Sequence, residues 1–184
     1  LAIVLLVGMA PSLALADAGD VEVLRDTWGI PHVFAAAEVD GFFGLGYAAA
    51  EDRLLQMELI RRKAAGRLAE VFGPDWVDAD REARIAGHAA YAPRALAHLP
   101  ERWQQALHAY AAGVNAWHLA NPELVARRFQ PLGITPDAWT PADCLLAARG
   151  ILSLGSPFTA AGIDDYYRFR ELVAQVGDTE AAQQ

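Results

Sequence analysis

The spacing of apolar and polar residues changes along the chain, and each change marks an element. Val21 to Arg25 follows the two-residue period of a half-buried strand. Asp26-Thr27-Trp28-Gly29 supplies turn chemistry, with Gly29 free to take a positive φ. Ile30 to Phe34 returns as a second short strand, where Pro31 is tolerable near the start. A β-hairpin is the economical reading. From Asp40 the period becomes helical. Leu54, Leu55, Met57, Leu59 and Ile60 recur among charges through Arg62, and Glu58 and Arg62 stand in the favourable Glu-first i,i+4 order. Gly66 interrupts. Leu68, Val71 and Phe72 continue the apolar face until Gly73-Pro74 stops it.

Residues 75–91 mix acidic and basic positions and read as helical, and Pro93 and Pro100 are expected to break the chain that follows. Glu101 to Leu119 reads as a strong helix, with Trp103, Leu107, Tyr110, Val114 and Trp117 on one stripe and Asn121-Pro122 as its end. Four prolines between 122 and 142 predict a loop with turns. Thr140-Pro141-Ala142-Asp143 then opens a helix through Cys144, Leu145, Leu146, Ala148, Ile151 and Leu152. A flexible break is expected from Gly155 to Gly162, and a last helix from Asp164 or Asp165 to Val176. The expected fragment is mainly α-helical, with a short N-terminal β-hairpin and about five helices. Such a hairpin is marginal alone and wants a larger sheet to join.

Composition adds limits. A chain of 184 residues fits one domain or one large piece of a bigger one. Its net charge of −8 offers no electrostatic footprint for nucleic acid or an anionic membrane. Cys144 is the single cysteine, so an intrachain disulfide is excluded. Leu1 to Ala16 is an uncharged apolar run ending in Ala14-Leu15-Ala16 before Asp17, the small-residue pattern of a signal peptidase site. The run is shorter than the roughly 20 residues of a bilayer span, and Pro11 lies within it. Residues 1–16 are therefore read as a truncated signal peptide and 17–184 as one segment, incomplete at its C-terminus, of a periplasmic or secreted protein without stable membrane insertion.

Single residues carry little chemistry. His32 has no acid or base partner in sequence. His88, His98, His108 and His118 lie ten apart, which is no metal spacing. Ser153 and Ser156 lack a nucleophile elbow, and Gly44-Leu45-Gly46 lacks the rest of a dinucleotide fingerprint. Cys144, on an apolar helix face, is read as a small hydrophobe.

The combination says more. Arg25-Asp26-Thr27-Trp28-Gly29-Ile30-Pro31-His32 is followed by Gly46-Tyr47-Ala48-Ala49-Ala50-Glu51-Asp52-Arg53-Leu54-Leu55-Gln56-Met57. Arg61-Arg62 with Gly66-Arg67-Leu68-Ala69-Glu70 comes next, and then Tyr110-Ala111-Ala112-Gly113-Val114-Asn115-Ala116-Trp117. These four blocks, in this order, resemble the α-side portion of the penicillin acylase family, whose members are N-terminal-nucleophile hydrolases. The residues fit structural roles: Gly29 turns the hairpin, Asp52 and Arg53 look like a charged pair for a large core to satisfy, and Gly113 permits close helix packing.

The resemblance implies an αββα sandwich built from one autoproteolytic precursor, or zymogen. Its β-subunit supplies an N-terminal Ser, Thr or Cys whose own amine is the general base, and hydrolysis of an acyl amide passes through an acyl-enzyme. On that reading no catalytic residue lies in this chain, the chain alone is inactive, and its partners are the β-subunit and a small acylated amide. Ungapped carry-over places acyl-pocket positions on Leu152, Gly155 and Ser156, where relatives typically have Met, Arg and Phe. Gly155 and Ser156 would leave room for a longer acyl chain, with Phe158 as an aromatic wall. No organic cofactor is expected. A Ca2+ held by the α side in relatives is an open candidate here, with ligands unassigned: Gly162 stands at the carried-over position, and Asp164 and Asp165 are carboxylates close by. Side-chain cleavage of β-lactam antibiotics leads the functional readings. An acyl-homoserine-lactone acylase is the second, and a non-catalytic helical interaction module the third.

Overall fold

The structure is a computed structural model that describes residues 21–155 together with 167, 168, 170, 171, 173 and 174. Strands β1 (Val21–Arg25) and β2 (Pro31–Ala35) pair antiparallel, with Val23 opposite Val33 and Arg25 opposite Pro31. The turn forms for the expected reason. Gly29 takes φ +80°, and the Asp26 carboxylate accepts the backbone N–H groups of Trp28 and Ile30, both at 2.9 Å. The alternation then decides which side faces inward. Val21, Val23 and Val33 are half-buried on the side facing Gly44, where a Cβ would come 2.5 Å from Val33.

Helix α1 (Glu38–Ala65) is the spine, 28 residues long. It ends at Gly66, whose φ of +68° lets its N–H and that of Arg67 return to the last-turn carbonyls. A single turn, α2 (Ala69–Phe72), a 3-10 turn (Pro74–Trp76), α3 (Val77–Ala86) and α4 (His88–His98) follow. Helix α5 (Glu101–Ala120) then runs back along α1, and that pair makes the most extensive contact in the molecule. Next come α6 (Pro122–Phe129) and α7 (Pro141–Gly155).

The main core lies where α1, α5 and α6 meet: Ala50, Leu54, Ala111, Val114, Trp117, Val125, Phe129 and Trp139. On the expected α5 stripe, Val114 and Trp117 are buried, but Trp103 is exposed and stacks edge-on against Phe42. Backbone approach between α1 and α5 is closer than any side chain allows. A Cβ on Gly46 would collide with the carbonyl of Tyr110, and one on Gly113 with the carbonyl of Phe43.

Three local expectations change. Residues 122–129 are helical, because Pro122 sits at the first helical position, where its missing N–H is harmless, and Val125 and Phe129 bury one face one turn apart. Pro93 does not end a helix. It lies inside α4, where Ala92 is fixed by packing against Ala64 and Leu146. The helical stretch from 75 is split at Gly87, φ +71°, into α3 and α4.

The loop before α7 is tied to α5 by one amide. Asn115 Nδ2 donates to the Trp139 carbonyl at 2.8 Å, and Asn115 Oδ1 accepts the Trp139 N–H at 2.7 Å. The Trp139 indole N–H in turn donates to Cys144 Sγ at 3.2 Å. Burial pushes the Cys144 thiol up to about 11, against a smaller lowering by the Trp139 hydrogen bond.

Three predictions come from this packing. Helix propensity alone would make Gly113→Ala stabilising by about 1 kcal/mol. The close approach reverses the sign, and guanidinium unfolding of the full-length protein should show a loss of about 2–3 kcal/mol; a gain would disprove the contact. The thiol at Cys144 should resist iodoacetamide at pH 8 in the folded protein and react readily once unfolded. An unfolded thiol ionises near about 8.5, so its stabilising contribution is intact below that pH and is lost as pH rises toward the folded value. Cys144→Ala should remove that part of the alkaline fall in stability.

Candidate functional site

The motif residues gather into two charged clusters around α1. The first cluster locks the hairpin to the spine. Arg25 Nη2 reaches Glu51 Oε2 at 2.6 Å and Asp52 Oδ1 at 2.8 Å, while its Nη1 donates to the Gly29 carbonyl at 2.7 Å. Burial opposes the Arg25 charge, but the hydrogen bonds with Glu51 and Asp52 outweigh it and hold the guanidinium above its ordinary value. The partner of Asp52 is therefore Arg25, a residue of the first block, and not Arg53. Arg53 is exposed, at a break in helical geometry with φ −139° and ψ 18°, and has no charged partner among the described residues. Nearby, Arg128 of α6 donates to the Glu51 carbonyl at 2.7 Å, which places a side-chain donor in the helical ladder next to the break. The Arg128 guanidinium also lies 5.2 Å over the Trp117 ring.

The second cluster has a buried centre, Glu58, Arg61 and Arg62, and an exposed edge. Glu58, 1% exposed, accepts from Arg61 and, at 2.6 Å, from Arg62. Arg62 also meets Glu70 at 2.8 Å, and Arg67 meets the same Glu70 at 2.9 Å. Hydrogen bonds from Arg67, with further help from Arg62, hold the Glu70 carboxyl below its usual range. Arg61 reaches across to the segment before α7: Asp143 at 3.2 Å, the Ala138 carbonyl at 3.1 Å and the Asp137 carbonyl at 3.2 Å. Removing Glu58 would leave two buried guanidinium groups short of a partner, which costs far more than an exposed pair is worth. Among the described residues no buried polar side-chain atom lacks a partner. Asp80 of α3 completes the arrangement by accepting the N–H groups of Leu68 and Ala69, each at 2.8 Å, and so caps α2 from another element. Sequence reading missed Asp80 and the tie between Arg61 and Asp143, because both join residues whose separation follows no helical or strand period.

The start of α7 matches expectation. The Asp143 carboxylate accepts the Thr140 N–H at 2.8 Å and the Thr140 hydroxyl accepts the Asp143 N–H at 3.3 Å, a reciprocal cap. Toward its far end Ile151 is 54% and Leu152 65% exposed, on the same outward side as Ala148 and Arg149, and Gly155 is the last residue of the helix. Ser156, Phe158, Gly162, Asp164 and Asp165 lie outside the described residues, as do residues 1–16. Among the described residues no three His, Cys, Asp or Glu converge where a metal could be held. His32 has Asp26 beside it at 3.4 Å on the exposed hairpin, a partner that the residue spacing did not suggest. Among the described residues, no helix is long and apolar enough to cross a membrane.

Comparison with known proteins agrees with this framework. The family model described as penicillin amidase matches residues 20–183. Penicillin G acylase of Escherichia coli is 36% identical over 147 residues, 78% of this chain and 17% of that protein. Penicillin acylase 2 proenzyme of Pseudomonas sp. (strain SE83) is 41% identical over 137 residues, 74% of this chain and 18% of that protein. Acyl-homoserine lactone acylase QuiP of Pseudomonas putida is 34% identical over 139 residues, 76% of this chain and 17% of that protein. The chain thus spans less than a fifth of the length of these curated relatives. A solved structure of thermostable penicillin G acylase from Alcaligenes faecalis superposes with a TM-score of 0.73 at 29% identity, covering 91% of this chain and 89% of that one. With its four sequence blocks placed on one helical framework, the chain belongs to the penicillin amidase family.

Proposed function

We propose that this chain is the α-side part of an exported amidase precursor that cleaves the acyl side-chain amide of β-lactams or related acylated amines. One observation carries the reading. The chain covers 89% of a solved penicillin G acylase chain but only 17–18% of the curated penicillin acylases. A precursor cut into separate chains would leave that pair of figures. In this reading the second chain brings the reactive amino terminus. Its Ser, Thr or Cys side chain attacks the amide carbonyl, its α-amine takes the proton, and the amine product leaves before water releases the acid. The exposed apolar side chains favour a partner as well. Trp28 at 86%, Ile30 at 55% and Phe34 at 55% lie uncovered on the two-stranded hairpin, which a larger sheet would complete.

The contribution of this chain to chemistry is then the wall of the acyl pocket. Leu152 and Gly155 at the end of α7, with Ser156 and Phe158 beyond it, are the candidate lining residues. Gly and Ser where relatives carry large side chains leave room for a linear acyl group. Kinship with an acyl-homoserine lactone acylase gives a second reading of the same chemistry. Calcium enters neither reading: the carboxylates proposed for it, Asp164 and Asp165, lie outside the described residues, and no step is assigned to a metal.

Expression of the full open reading frame tests both readings. Mass spectrometry should find two chains, the second beginning with Ser, Thr or Cys, and carbamylation of its amine should abolish turnover. The kcat/KM for C6 to C12 acyl amides should exceed that for phenylacetyl amides. A strong phenylacetyl preference would overturn the pocket assignment, and a reading frame that stops soon after Gln184 would replace the enzyme with a helical interaction module.

A further inference from the structure

The spine helix is covered unevenly. Its α5 side is packed to backbone contact, while Leu45, Arg53, Gln56 and Lys63 are exposed along another face. Between Gln56 and Lys63 that face opens into an apolar groove. Helix α1 contributes Leu55, Leu59 and Ile60, and the segment after it contributes Leu68, Phe72 and Trp76. Leu68 is buried, but the aromatic pair is not. Phe72 and Trp76 stack with ring centroids 5.6 Å apart and remain 43% and 39% exposed. An apolar strip left in water and edged by polar groups marks a contact surface.

The form of the groove argues against a small ligand. It holds about 380 Å3, near the lower end of ligand pockets, and its polar lining, Gln56 and Lys63, comes from a single helix. Nothing there converges on a point to orient a small molecule. The charges around it point to a partner chain. Arg53 and Lys63 have no charged partner among the described residues, in a protein of net charge −8. The neighbouring carboxylates of α1 are already taken, Asp52 by Arg25 and Glu58 by Arg61 and Arg62. No carboxylate lines the groove among the described residues. The cations are therefore free to meet acidic groups from outside, which fixes the register of an otherwise non-directional apolar contact.

We propose that this groove seats a segment of the second chain, apolar where it faces Leu59, Phe72 and Trp76 and acidic where it passes Lys63 and Arg53. This rests on the two-chain reading above. The chain spans less than a fifth of the penicillin acylases it matches, so most of such a protein lies outside it and is there to cover the groove.

The test uses the processed full-length enzyme carrying Gln56→Cys. Gln56 is exposed and makes no hydrogen bond among the described residues, so the substitution leaves the packing of this chain alone. Polyethylene-glycol maleimide should modify the introduced thiol at least about tenfold more slowly in the native enzyme than in urea, because the core of an interface excludes solvent. A photoreactive benzoylphenylalanine at the same position should cross-link to a second-chain peptide containing Asp or Glu. Lys63→Glu should lower the urea concentration at which the two chains separate, and Lys63→Arg should leave it unchanged. Equal labelling in the native and unfolded states of an active, two-chain enzyme overturns the groove assignment alone. So does a cross-link to residues 156–184 of this chain or to a second copy of it. An unchanged separation midpoint for Lys63→Glu overturns the acidic character of the partner segment. A product that stays one chain and hydrolyses no acyl amide overturns the two-chain reading, and the occupant of the groove with it.

Discussion

Helices α1 and α5 lie so close that their backbones touch, and the rest of the architecture is arranged around that contact. At Gly46 and Gly113 there is no space for even a methyl group. Because those positions are bare, Ala50, Leu54, Val114 and Trp117 can interlock on the neighbouring turns. The same contact sets where the flanking elements go. The hairpin rests on the α1 surface beside Gly44, and α6 closes the other side with Val125 and Phe129.

Charges occupy the places where apolar packing would leave the angle between elements loose. Arg25 binds two acidic neighbours on α1 and a carbonyl of its own turn, so the hairpin cannot slide along the helix. Arg61 and Arg62 share Glu58 beneath the surface and then reach outward to Asp143 and Glu70. Ionic contacts of this kind are directional, whereas apolar burial is not. The sequence blocks that mark the family are therefore largely the parts of a frame.

Much of that frame could be read in advance where the cause is local. The hairpin followed from alternation and a turn with glycine at its end, and α5 from a long stripe and a proline on either side. Glu58 with Arg62 followed from helical spacing, and Thr140 with Asp143 from a reciprocal cap. What stayed hidden depends on distance in the fold. Asn115 meets Trp139 24 positions away, and Asp52 turns to Arg25, 27 positions back, rather than to its neighbour Arg53. Proline misled at both 93 and 122, where packing of Ala92 and the first-position allowance outweighed its reputation as a breaker. Of the candidate pocket, Leu152 and Gly155 share the last turn of α7, one residue further than the break expected to begin at Gly155.

The long reach of Arg61 also constrains the order of events during synthesis. Glu58, Arg61 and Arg62 leave the ribosome early, but Asp143 follows some 80 residues later. Synthesis at roughly 5–20 residues per second leaves this spine waiting several seconds before its last ionic partner emerges. Until then Arg61 must stay hydrated, so the spine and α7 cannot finish as separate pieces. The nascent chain remains open on that side until the segment carrying Asp143 arrives.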